Sequence, residues 1–395
     1  MTRIIDFFLD IWDRLMAFLG LDRIYRRGRE KAFEGRSPFG RLLGWGRPLL
    51  ALLALAWVVY AIWTFSITRS FDLQFPQKAM IAAATAPVQT GEQTEAGAGT
   101  ESKTCTRSSI VDIQGALIDQ VVNQDEWVAA NPVYKFGLFG ILPWEATPFF
   151  DNKMSFQIGV LDMVKNTARE LETSLGRVRG TSAADTDLQG ALSRLQVNER
   201  SWVFNNPFDP QLNTLTVSAP NSYRGAIRLY EQFNTRLASC DALFDARADN
   251  LFNVLMIYTS SLGSISEQLS QRSRGEEWDV DTHAFVESEG AGNDRGWFDT
   301  RADNLFMQAK GRLYALHGLM QGARQDFAEV IETRNMADVW DRMEAHLAEG
   351  AALAPTVISN GRADGTVAPD HLSVMAAHVL RARANMVEVR SILDR

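Results

Sequence analysis

The sequence predicts an all-α protein with an N-terminal transmembrane helix, a flexible tether and an exported antiparallel helical bundle. Three observations carry this. An uncharged run of 20 residues, Pro48 to Ile67, lies near the N-terminus. A stretch of small and polar residues follows it at 82–104. Beyond residue 107 apolar residues recur at helical spacing, without the sustained alternation of half-buried strands.

At 395 residues, with 46% hydrophobic and 22% charged residues, the chain can build a sizeable core. Its net charge of −8 is unevenly spread: residues 1–47 hold ten Arg/Lys against six Asp/Glu, a net of +4, so the rest carries −12. An acidic body argues against nucleic acid as a partner, and a basic start suits anionic lipid.

Residues 1–47 form the cytoplasmic segment. Ile4, Phe8, Ile11, Leu15 and Phe18 share one side of a helix and Asp6, Asp10 and Asp13 lie mostly on another. This reads as an amphipathic helix in the inner-leaflet interface, the rival being a helix packed on a partner protein. Residues 48–67 match a hydrocarbon core of about 30 Å at 1.5 Å per residue. A cleaved signal peptide fits less well, because 47 residues precede the run and no small-residue cleavage site follows closely. Arg29, Lys31, Arg36, Arg41 and Arg47 precede the span and only Arg69 and Lys78 follow closely, which keeps the N-terminus cytoplasmic.

Residues 68–104 are the tether. Its 82–104 part has no aromatic residue and cannot bury enough surface to order itself. As a random coil its ends average about 25 to 30 Å apart.

Residues 105–395 are the bundle. Ser109 can cap a helix with Ile110, Ile113, Leu117 and Val121 on one stripe. Further helices are predicted from about Asn152, near Asp185 to Val197, and from about Asn221. Phe244, Ala248, Leu251, Leu255, Tyr258, Leu262, Ile265 and Leu269 alternate steps of four and three, the rhythm of one continuous seam. Leu372, Met375, Val379, Ala382, Met386, Val389 and Leu393 repeat that rhythm after a start at Pro369 or Asp370. Several such helices in one chain pack on each other as a bundle. Residues 272–296, with seven acids, read as a solvated loop: a calcium loop would need glycine where Ala284 stands. Turn signals at Asn360/Gly361 and Asp364/Gly365 suit a small hairpin.

The two cysteines, Cys105 and Cys240, form no metal spacing, which leaves inert thiols or one disulfide. Bonded, they would stabilise by about 4 to 5 kcal/mol in the loop-entropy model, provided their α-carbons come within reach.

The five histidines, His283, His317, His346, His371 and His378, include no HExxH and no i, i+4 pair, and no phosphate loop, GxGxxG or GxSxG is present. The expectation is no metal and no cofactor. The remaining candidate is a repeat: FDARADNLF at 244–252 returns as FDTRADNLF at 298–306, with only Ala246 and Thr300 different. On a continuous helix Phe244, Ala248 and Leu251 cluster, with Arg247 on one border and Asp245 and Asp249 on the other. Phe298, Ala302, Leu305, Arg301, Asp299 and Asp303 would follow suit. Paired aspartates can do acid/base work, but only in a pocket that shifts their pKa values. The structural alternative is a polar network of Asp245, Arg247, Asp249, Asn250, Asp299, Arg301, Asp303 and Asn304, each Arg reaching an Asp on a neighbouring helix to set register. With no third copy, a solenoid is excluded.

FFDNKMSFQIGVLDMVKNTARELE, the FDARADNLF block with LGSISEQLS, and the C-terminal ISNGRADGTVAPDHLSVMAAHVLRARANMVEVRSILDR resemble the bacterial family called domain of unknown function 2333, over approximately residues 149–394. The resemblance implies a bacterial envelope protein, single-pass in the inner membrane, whose helical domain occupies the periplasm. It implies no reaction and no site residues. The first expectation is therefore a non-enzymatic periplasmic scaffold or interaction protein. Its partners would be the lipid bilayer, membrane or periplasmic proteins and, in an oligomer, copies of itself. A ligand-binding or sensory helical module is the second. A hydrolase using Asp245, Asp249, Asp299 or Asp303 comes last.

Overall fold

The computed structural model describes residues 53, 55–63, 105–137, 150–177, 183–202, 217–279, 284–287, 299, 301–361 and 368–395. The chain divides into two compact units, Met1–Ser66 and Ile67–Arg395. In the first, residues 53 and 55–63 are helical, with Leu53, Leu55, Val58, Val59, Ile62 and Trp63 exposed. These are the described part of the 48–67 run. No helix among the described residues is long and apolar enough to cross a membrane. The amphipathic segment before this run and the tether after it lie outside the described residues.

Among its described residues the regular structure of the second unit is helical apart from one hairpin and one isolated bridge. Its elements are α1 (Ser109–Asp119), α2 (Pro132–Phe136), α3 (Asn152–Glu170), α4 (Thr186–Leu195), α5 (Ala219–Ala238) and α6 (Ala248–Arg274), then β1 (Glu276–Asp279), β2 (Ala284–Glu287), α7 (Ala302–Asp326), α8 (Ala328–Thr333), α9 (Ala337–Ala352) and α10 (His371–Leu393). Local chemistry sets the helix starts. The Asp185 carboxylate accepts the amides of Asp187 and Leu188 to cap α4, and Asp370 accepts the amide of Ser373 to cap α10. At α1 the cap is Ser108, one residue before the predicted Ser109. The α3 helix ends in a wider π turn, Leu171–Leu175, closed by Gly176 N–H donating to the Leu171 carbonyl at 2.8 Å.

The α7 helix is the axis of the body. Most of its 25 residues are buried, and it touches α1, α3, α6, α9 and α10. Its crossing with α3 rests on two glycines. A methyl at Gly159 would stand 2.2 Å from the Gln308 carbonyl oxygen, and one at Gly311 would stand 2.2 Å from that of Phe156. Only hydrogen at both positions lets the backbones touch. The pair runs parallel, since Ser155 meets Asn304 and Asp162 meets Arg312. Two other pairs are antiparallel: α6 with α10, where Ser273 meets Ser373 and Thr259 meets Arg383, and α9 with α10, where Arg342 meets Glu388. The bundle is therefore mixed: α6 runs antiparallel to α7, where Arg312 meets Ser261 and Arg272 meets Asp299, so α7 and α10, both antiparallel to α6, run parallel to each other.

Both seams read from the sequence lie in the core. Leu251, Leu255, Tyr258, Leu262, Ile265 and Leu269 are buried on α6, as are all seven predicted positions of α10. The loops differ from expectation. Residues 272–274 belong to α6, and part of the predicted acidic loop pairs as β1–β2, Glu276 opposite Glu287 and Asp279 opposite Ala284. Each strand is four residues long, too short for a period-2 signal to register. Near the second predicted hairpin, Asn360 and Asp370 form a single antiparallel bridge; residues 362–367 lie outside the described set.

Candidate functional site

Both copies of the repeated block are helix starts, and this corrects the continuous-helix reading. Arg247 and Arg301 occupy the N-cap positions of α6 and α7, while Asp245 and Asp299 precede the helices. The helical wheel does not apply to them. Phe244 is still buried, edge-on to Phe327 with centroids 6.1 Å apart. Phe298 and Thr300 lie outside the described residues.

The copies sit at opposite ends of α3. The Asp245 N–H donates to the Leu175 carbonyl at 2.8 Å, whereas the Ser155 hydroxyl donates to Asn304 at 2.7 Å. Twenty residues of helix between these points amount to about 30 Å. The four aspartates of the hydrolase reading are thus not brought into one site.

In the first block Arg247 turns back on its own segment. Its Nε donates to both Asp245 carboxylate oxygens, at 3.0 and 2.9 Å, and its Nη2 lies 3.5 Å from exposed Asp249. The Asn250 amide donates to the Asp245 carbonyl at 2.9 Å, closing the turn. Burial pushes the Asp245 carboxyl above the usual range, opposed by the Arg247 charge. The expected bridge to a neighbouring helix is absent here because the N-cap geometry points Arg247 along the chain.

In the second block a bridge between elements exists, but another arginine makes it. Arg272, in the last turn of α6, donates Nε to Asp299 Oδ2 at 2.9 Å and Nη2 to Oδ1 at 2.6 Å. The Asn360 amide donates to the same Oδ2 at 2.7 Å and to the Arg272 carbonyl at 3.0 Å. The Asp299 side chain is fully enclosed, so this bidentate pair is a buried one. Asp299 also accepts the Arg301 amide at 3.0 Å, while the Arg301 residue is exposed. Sequence reasoning missed Arg272 and Asn360, whose partner lies 27 and 61 residues away.

Beside this lock, Asp303 is buried near Asp151. Burial, and next the Asp151 carboxylate, push Asp303 up to about 7. Burial pushes Asp151 up to about 6 against a hydrogen bond with Asn304. The dyad can bind or release a proton near neutrality. Among the described residues no group of three or more His, Cys, Asp or Glu could hold a metal ion.

A second polar cluster fastens the start of the body. Cys105 and Cys240 form a disulfide with α-carbons 5.4 Å apart. Arg107 bridges Asp112 at 2.5 Å and Glu231 at 2.6 Å. Asp326, at the end of α7, accepts the Ser108 hydroxyl at 2.6 Å and the amides of Ser109 and Ile110 at 2.7 and 3.0 Å. A carboxylate from one helix so caps the N-terminus of another. Burial nevertheless pushes Asp326 up to about 6. Asn234 on α5 accepts the Ser108 amide and donates to its carbonyl, both at 3.0 Å. Beside this cluster a groove of about 290 Å³ runs between α1 and α5, over Val111, Gly115, Ile227 and Tyr230. That is the lower limit of a small-molecule pocket.

The family model described as "Uncharacterized protein conserved in bacteria (DUF2333)" matches residues 140–395. The chain belongs to the DUF2333 family. The matched DUF2333 region contains both repeated blocks, the Arg272–Asp299–Asn360 lock and Cys240, whereas α1 and Cys105 precede it. No curated protein and no solved structure matches the chain.

Proposed function

We propose that this DUF2333 protein is a non-enzymatic interaction protein of the bacterial envelope, anchored in the inner membrane by residues 48–67 and holding its helical body in the periplasm. The fastening at the head of the body carries this reading. A disulfide, a bridging arginine and a carboxylate cap from α7 converge within residues 105–112, where the 82–104 tether arrives. Such anchorage suits a chain end that transmits restraint from a membrane. The disulfide favours an oxidising compartment. In the anchor region, Ile62 and Val59 are 64% and 58% exposed, apolar surface that suits lipid or protein better than water.

Cross-linking in native membranes followed by purification tests the reading. Recovery in complex with membrane or periplasmic proteins, or with itself, is the expected outcome. Recovery only as a lone monomer overturns it. Labelling of an introduced cysteine from the cytoplasmic side before residue 48, and from the periplasmic side after residue 67, tests the orientation. A sensory module is the second reading, favoured by two buried neighbouring carboxyls: burial pushes Asp151 up to about 6 and, with the Asp151 charge, Asp303 up to about 7.

A further inference from the structure

The α10 helix is apolar on two sides. Its inner seam, from Leu372 to Leu393, is buried against α6, α7 and α9. One such seam is enough to dock a helix of 23 residues. A second seam faces outward: Ala377, Leu380, Ala384 and Val387 are all exposed, in steps of three, four and three. Leu380 is 46% exposed and Val387 42%. Steps of three and four are those of positions that meet another helix, and alanines alternating with larger residues let two backbones approach closely while the Leu and Val side chains fill the gaps.

The flanks choose the partner. On the α6 side, Arg383 donates to the Thr259 carbonyl at 3.1 Å. Arg390 donates to the Thr259 hydroxyl at 3.1 Å and lies 4.8 Å over the Phe252 ring. Both arginines are held on their own bundle. The other flank carries exposed Arg381 and, seven residues on, Glu388, whose contact with Arg342 is long at 3.5 Å and largely solvated. One positive and one negative charge on the same flank complement that flank turned end for end. An antiparallel copy with its two-fold axis near Ala384 sets Arg381 opposite the second copy's Glu388, and the symmetry makes the pair twice.

We infer that the outer face of α10, along Ala377, Leu380, Ala384 and Val387, is a docking surface for a second copy of this chain, paired antiparallel. This rests on the interaction-protein reading and names a partner for it. Two chains tethered in one bilayer raise each other's effective concentration, so a modest seam suffices.

The test is sedimentation of the full chain in detergent, for wild type, R381E, E388R and the double reversal. Each single reversal should weaken dimerisation by about tenfold, and the double reversal should restore it. L380D should leave monomer at all loadings while moving the thermal midpoint by less than about 2 °C. A wild-type chain that is monomeric to ~100 µM overturns the inference. So does a dimer indifferent to L380D, or single reversals that the double does not rescue. If L380D unfolds, the three charge variants, all at exposed positions, decide alone. Native-membrane cross-linking of L380D separates the two readings: foreign partners recovered without a dimer leave the interaction protein standing.

Discussion

At residues 244–252 the repeated block exposes Asp249, half-buries Phe252 and encloses Asn250 and Leu251; at 298–306 it buries Asp303 and Phe306 and half-buries Asn304 and Leu305. The same local sequence starts a helix both times, with the inward side turned by about two residues, close to the opposite face. The ion pairs differ as well. Arg247 is 43% exposed and pairs within its own block, whereas Asp299 is fully enclosed and meets Arg272 from the preceding helix. The comparison teaches that the block encodes a helix N-terminus and that the surroundings decide which of its polar groups matter.

Removing a partner from the enclosed pair should have the largest effect. Asp299→Ala or Arg272→Ala strands a buried charge, and in the first case also frees Asn360, so each should cost about 3 to 5 kcal/mol in urea denaturation. Equal losses from Asp299→Ala and Asp245→Ala would erase the distinction between the copies.

The pH dependence sharpens it. Asp303 is raised from an ordinary 3.8 to about 7, so its penalty is absent below pH 3.8 and grows as pH rises through 7. Asp303→Asn should therefore stabilise by roughly 1 to 3 kcal/mol at pH 8, with the gain gone near pH 4. Asp249→Asn, at the matching but exposed position, should change stability by less than about 0.5 kcal/mol in thermal melts. Smaller than the Asp303 effect, Asp245→Ala should cost about 1 kcal/mol, since Arg247 can turn to water once its partner is gone. Last come Arg247→Ala and Arg301→Ala, each within about 0.5 kcal/mol by chemical denaturation. A larger loss from either would restore the idea that these arginines set register.

The sequence made the long helices legible because their signal is local. Leu372 through Leu393 repeats every three or four residues, and the same helix start could be read at Asp370. The family could be read from stretches of that kind. The block was misread for a local reason too: a wheel drawn through Phe244 assumes helix where none begins before Ala248, Arg247 itself being extended. What stayed hidden is non-local. Nothing around Asp326 announces that it caps a helix 216 residues earlier, and nothing around Arg272 points to Asn360. The close approach at Gly159 and Gly311 was equally silent, because each glycine acquires its meaning only from the facing helix, Gln308 for Gly159 and Phe156 for Gly311.

The disulfide decides how the body would answer a mechanical pull. Tension arriving through the residues before Cys105 would cross directly to Cys240, 135 positions further on, so the stretch between the cysteines would drop out of the line of force. A pull applied between the residues before Cys105 and the C-terminus would not stretch the α1 to α5 helices, and only α6 onward would lengthen. Reduction would lengthen the extensible chain by that stretch, a difference that single-molecule stretching reads directly.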